Sequence, residues 1–158
     1  MIKKASIALL WLSWLISPVV LADNNLKLSS GQTVYVSIYS NVFSGPKEGP
    51  LDLSAILSVR NTDLHNSFTL LSATYFDTNG KKLMEYIPKP ITLKPLESRH
   101  FTIKEKDKTG GIGANFIVKW ESKKNISSPI VESIMLGVRY GQGISFICPG
   151  KVIVENSQ

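Results

Sequence analysis

From Thr33 onward, apolar and polar residues alternate with a period of two, and turn residues interrupt the alternation roughly every ten positions. That rhythm predicts antiparallel strands, each with one dry face. In 33–40, Val34, Val36 and Ile38 point one way and Tyr35, Ser37 and Tyr39 the other. In 53–60, Leu53, Ala55, Leu57 and Val59 share a face opposite Ser54, Ser58 and Arg60. Segment 68–77 alternates less cleanly, as expected of a central strand touched on both sides. Asn79-Gly80 then reads as a turn, because both residues reach positive φ at little cost, so 71–77 and 82–86 form a hairpin.

Pro88 and Pro90 end that hairpin. Segment 98–103 turns Phe101 and Ile103 inward and His100 outward, and 115–121 buries Phe116, Val118 and Trp120. After Pro129 a long apolar strand is expected over 130–140, with Glu132 as its one carboxylate. A carboxylate facing inward there needs a cation such as Arg60 or Arg139, which makes a structural ion pair. Beyond Gly141-Gln142-Gly143, the residues Ile144, Phe146, Cys148, Gly150, Val152 and Val154 all fall at even positions and are expected on one dry face. Pro149 removes a ladder donor and marks an edge or a bulge. About eight strands with no amphipathic helix give an all-β fold, best read as an immunoglobulin-like antiparallel β sandwich, with a small β barrel as the alternative.

The N-terminus changes the picture of where this domain works. Lys3 and Lys4 precede an apolar run from Ala5 to Leu21, broken by Pro18 and followed by the small Ala22. This is the layout of a secretory signal peptide over 1–22, leaving 23–158 as one β-sandwich domain. The expected location is the periplasm, with no stable membrane insertion after cleavage. An uncleaved N-terminal membrane anchor is the alternative.

Charge and chemistry exclude more than they assign. Without Lys3 and Lys4, sixteen basic side chains face twelve acidic ones. They are dispersed as Lys81-Lys82, Lys104 to Lys108 and Lys123-Lys124, so no stripe builds the potential that nucleic-acid binding needs. Cys148 is the only cysteine and His65 and His100 the only histidines, which rules out an intramolecular disulfide and a Cys-rich zinc site. No metal and no cofactor are expected, and a Cys148 on the dry face is a structural thiol rather than a nucleophile.

No catalytic set assembles from the sequence. Ser44-Gly45-Pro46-Lys47 and Lys108-Thr109-Gly110 echo two elements of penicillin-recognising enzymes, but Gly45-Pro46 forbids the helix that chemistry needs. Glu48, Asp52, Glu85, Glu97 and Glu132 are scattered. The strongest local anomaly is 107–116, where Gly110, Gly111 and Gly113 permit close approach of another backbone or of a ligand. A β strand follows it where a dinucleotide fingerprint requires a helix. The segment reads either as a crossover between sheets or as a recognition loop. With the aromatic run Tyr35, Tyr39 and Phe43 beside Ser40-Asn41, it nominates Tyr39, Asn41, Gly110, Gly111, Gly113 and Asn115 as ligand- or partner-binding residues.

Several segments carry a family likeness: 32–36 (Gln-Thr-Val-Tyr-Val), the strand end 57–63, Tyr75-Phe76-Asp77 with Gly80, the glycine-rich 110–116, and 142–146 (Gln-Gly-Ile-Ser-Phe). On these the chain resembles an uncharacterised bacterial exported family, the domain of unknown function numbered three-one-two-four, over roughly Gly31 to Val154. The resemblance implies an envelope protein and supplies no activity. Where that family often has a Pro after the first strand and a His before the next loop, this chain has Ser37 and Asn41, which weakens a metal role for that corner. The expected function is a non-catalytic binding or protein-interaction module of the cell envelope, taking an envelope protein or a small ligand through end loops or an open strand edge. The alternative is a small envelope hydrolase acting on glycans or peptides.

Overall fold

The computed structural model describes residues 28–44, 49–139 and 141–156. The signal-peptide segment and Gly45-Pro46 lie outside the described residues. Among the described residues twelve strands form, against the expected eight or so: β1 (Leu28–Ser37), β2 (Asn41–Ser44), β3 (Gly49–Asp52), β4 (Ser54–Arg60), β5 (Phe68–Phe76), β6 (Lys82–Glu85), β7 (Ile91–Leu93), β8 (Ser98–Ile103), β9 (Asn115–Ser127), β10 (Ile130–Arg139), β11 (Gln142–Pro149) and β12 (Lys151–Glu155). The additional strands are short pieces such as β2, β3 and β7, or come from the division of the C-terminal segment. All pairings are antiparallel.

The larger sheet runs β12-β1-β9-β5-β6, with β7 also paired to β5, and the smaller runs β11-β10-β4-β8. Neither closes into a barrel, and the two pack as a sandwich. The expected alternation supplies the core between them. Val34 and Val36 of β1, Phe116, Val118 and Trp120 of β9 and Leu70, Ala73 and Tyr75 of β5 are buried, as are Ala55, Leu57 and Val59 of β4 and Phe101 and Ile103 of β8. Aromatic contacts tie the layers together, with Tyr86 edge-on to both Phe101 (5.6 Å) and Phe116 (5.3 Å).

The irregularity of 68–77 has a specific cause. Leu70 pairs with Trp120 and Ser72 with Lys119, so Leu71 is an extra residue on β5 and the inward set shifts from Phe68 and Leu70 to Ala73 and Tyr75. The expected hairpin forms, with Gly80 at φ 77° and the Asp77 side chain accepting from the N–H groups of Asn79 and Lys81.

Two expectations about the C-terminal third are corrected. The segment after Gly143 is not one strand with a single dry face. It changes sheets at Gly150, whose N–H donates to Val131 O (2.8 Å) and whose missing side chain leaves room for Val131 O and Val34. Val152 and Val154 are therefore exposed on an edge strand, whereas Phe146 and Cys148 on β11 are half-buried against the core as their parity requires. On β10 the inward residues are Val131, Ser133, Met135 and Gly137, so Glu132 faces outward rather than inward. The reason lies in what the interior needs at those positions. Ser133 Oγ donates to Ser37 O (2.6 Å) and joins the two sheets, and a Cβ at Gly137 would strike Leu53 and Asp52 O. Glu132 does pair with Arg60, at 3.6 Å.

Candidate functional site

The glycine-rich segment crosses from β8 in the smaller sheet to β9 in the larger. It is stitched down along its length. Gly110 O accepts from the Thr78 backbone N–H and the Thr78 hydroxyl (both 2.9 Å), Gly111 O from Ser40 N–H (3.1 Å) and Ala114 O from Ile38 N–H (2.9 Å). Gly113 N–H donates to Thr78 Oγ1 (3.0 Å). Two of the glycines are required for different reasons. A Cβ at Gly110 would overlap the Tyr75 hydroxyl, and Gly111 sits at φ 74°. Burial raises the Tyr75 pKa, while the Ser40 hydroxyl stands 3.5 Å from its oxygen.

The nominated residues gather around this crossover. Tyr39 is half-buried and edge-on to Phe146 (5.8 Å), and Asn41 opens β2 opposite Asp52. The Ser40–Gly111 hydrogen bond joins that corner to Gly110, Gly111 and Gly113. Asn115 stands slightly apart, as the first residue of β9, flanked by Ser37 and Phe76. Three carbonyls of the segment, those of Gly110, Gly111 and Ala114, and the Gly113 N–H are thus spent within the fold and fasten it to Thr78, Ser40 and Ile38. Among the described residues no three His, Cys, Asp or Glu side chains converge.

The opposite end is organised by polar side chains whose role was not read from the sequence. Buried Asn61 donates from Nδ2 to Asn66 O (2.9 Å) and Lys94 O (2.9 Å). Asp63 accepts from the N–H groups of His65, Asn66 and Ser127, and these bonds, that of His65 foremost, lower its pKa to about 2. His65 thus belongs to a structural loop. Glu85 is similarly engaged: burial pushes its pKa up, but donation from the Thr74 hydroxyl and the Ala73 and Ile87 N–H groups outweighs it and leaves the value lowered.

A different region stands out by lacking such satisfaction. The outer face of the smaller sheet presents Ile130, Ile134, Leu136 and Val138 from β10, with only Glu132 among them. Ile56 of β4 and Ile147 of β11 lie on either side of Ile134 in one cross-strand row. Exposure reaches 70% at Val138, 59% at Ile147, 46% at Ile130 and 42% at Leu136. A sheet with one wet face normally turns polar residues outward, whereas β10 buries Val131 and Met135 and is apolar on its outer side as well. A shallow groove of about 520 Å³ opens at the upper end of this face, lined by Leu136, Val138 and Ile144 with Ser54, Glu105 and Ser145 at its margin.

The strand edges show the same asymmetry. β6 and β8 carry Lys82, Glu85, Arg99 and His100. β12 carries Lys151 and Glu155 and has an extra residue, Ile153, against β1. These are the devices that blunt an edge. β11 has no charged residue, keeps unbroken register with β10 from Gln142 to Pro149, and has no strand on its other side among the described residues. The legible sequence signal was the charge-free stretch 142–149, which the even-position pattern obscured.

Comparison with the curated proteins returns no match. Among solved structures, the chain is similar to the crystal structure of Thermotoga maritima 1070, with a TM-score of 0.45 and 12% identity, covering 76% of this chain and 92% of that one. The model of the family described as Protein of unknown function (DUF3124) matches residues 31–153, and the chain belongs to that family.

Proposed function

We propose that this protein is an exported, non-catalytic interaction module of the cell envelope that contacts a polypeptide through the outer face of its smaller sheet and the adjoining β11 edge. The observation that carries this reading is β10, which turns Ile130, Ile134, Leu136 and Val138 toward solvent while Ser133 and Gly137 point into the core. Contiguous exposed apolar surface of this kind is a mark of an interaction site. The export part rests on the arrangement of Lys3, Lys4, the apolar run to Leu21 and Ala22. The hydrolase alternative has less support, because Glu132 is held by Arg60, and Asp63 and Glu85 are engaged by several hydrogen-bond donors.

A photo-crosslinking amino acid tests the surface. Placed at Val138 in cells, it captures a polypeptide, whereas the same group at Lys119, on the outer face of the larger sheet, does not. Equal capture from both positions, or none from Val138, would sink the assignment.

A further inference from the structure

We infer that the partner on this face is a second copy of the chain, packed sheet to sheet about a twofold axis. The inference rests on the reading of the face given above and names its occupant. Two features argue for self-association, the first of them area. Ile130, Leu136, Val138 and Ile147, with half-buried Ile56 and Ile134, leave roughly 450 Å² of apolar surface uncovered per copy, which at the roughly 65% apolar share of homodimer interfaces scales to about 700 Å² a side. Two such sides reach the roughly 1,200–2,000 Å² of a stable interface.

Charge is the second feature. The ion pair on this face, Arg60 with Glu132 at 3.6 Å, is closed within one copy, and Arg60 Nε also donates to Ser58 Oγ (3.1 Å). Within β10 and β4 this face carries no other charge, so its centre can meet its duplicate without stranding one, with His100 of β8 and Glu105 left at the rim. The neighbouring positions Ser54, Ser58, Ser145 and Thr102 are small and uncharged and give an even surface for a facing sheet, which packs at about 10 Å. A single added strand would satisfy the β11 edge but leave Leu136 and Val138 in water. A facing sheet covers both.

Sedimentation equilibrium of the full chain as recovered from cells, over about a hundredfold range of concentration, tests the inference. The wild-type chain is expected to reach a dimer mass. Val138→Lys and Ile147→Lys, each entering a twofold interface twice, are expected to raise the dimer dissociation constant at least about a hundredfold. Lys119→Glu, on the other sheet, leaves it unchanged. Unaltered far-ultraviolet circular dichroism shows that the variants are folded. A dimer that survives both lysines uses another surface and overturns the inference.

A wild-type chain that stays monomeric overturns it too, and the crosslinker at Val138 then separates the two readings. Capture of a different polypeptide keeps the face as an interaction site with another occupant. No capture removes the face altogether. Co-flotation of the monomer with phospholipid vesicles, lost in Val138→Lys, would replace the second copy with a lipid surface.

Discussion

The glycine corner and the outer face of the smaller sheet hold the two most unusual stretches of this chain, and they are unusual in opposite ways. At the corner, three glycines bring backbone against Tyr75 and Thr78, and the carbonyls of Gly110, Gly111 and Ala114 are bonded within the fold. On the face, Leu136, Val138 and Ile147 meet only solvent over much of their surface. Odd composition therefore has two physical meanings. One closes a structure on itself, and the other leaves it open to something else. Fold stability should depend on the corner and association on the face.

The largest expected effect is at the corner. Gly110→Val forces a branched side chain onto the Tyr75 hydroxyl and should cost about 3 kcal/mol, lowering the melting temperature by roughly 10 °C. Combining it with Tyr75→Phe, which removes the struck oxygen, should restore part of the loss. Simple additivity of the two in thermal denaturation would show that the contact is not the cause.

Acid stability gives an intermediate effect, at the end where Asn61 and Asp63 sit. The folded Asp63 carboxyl has its pKa lowered from 3.8 to about 2, so its hydrogen bonds stabilise the fold above pH 3.8 and that contribution is lost as pH falls through about 2. Wild type should therefore lose more stability between those limits than Asp63→Asn. Parallel denaturation profiles for the two proteins would contradict the role assigned to this carboxylate.

The smallest expected effect is on the face. Diluted until copies are apart, Val138→Lys should unfold within about 0.5 kcal/mol of wild type, because the side chain is already 70% exposed. A loss comparable to that of Gly110→Val would erase the contrast between the two regions.

Much of the fold was legible because alternation has one meaning when a strand has one wet face. Val34, Val36 and Ile38, then Leu53 to Val59, and later Phe101, Ile103, Phe116, Val118 and Trp120 all turn inward as their spacing requires. Reading failed where alternation carried other information. The extra residue Leu71 shifted the parity of β5, and a change of sheet at Gly150 divided what looked like one strand. On β10 the apolar set faced outward, since Ser133 and Gly137 were needed inside. The candidate residues were found as a spatial group, but spacing could not tell backbone groups spent on Thr78 and Ser40 from groups free for a ligand. Tertiary partners decide that, and these come from distant parts of the chain.

The position of β1 between β9 and β12 has a consequence for how the molecule is made. Among the described residues β1 has no sheet partner earlier in the sequence than Asn115, and its other neighbour ends at Glu155. While the chain emerges from the ribosome, this strand must wait until β9 and then β12 have been synthesised. Such distant pairing slows folding because the intervening loop must be closed first. A chain that cannot complete its larger sheet until β12 has been made stays unfolded for longer.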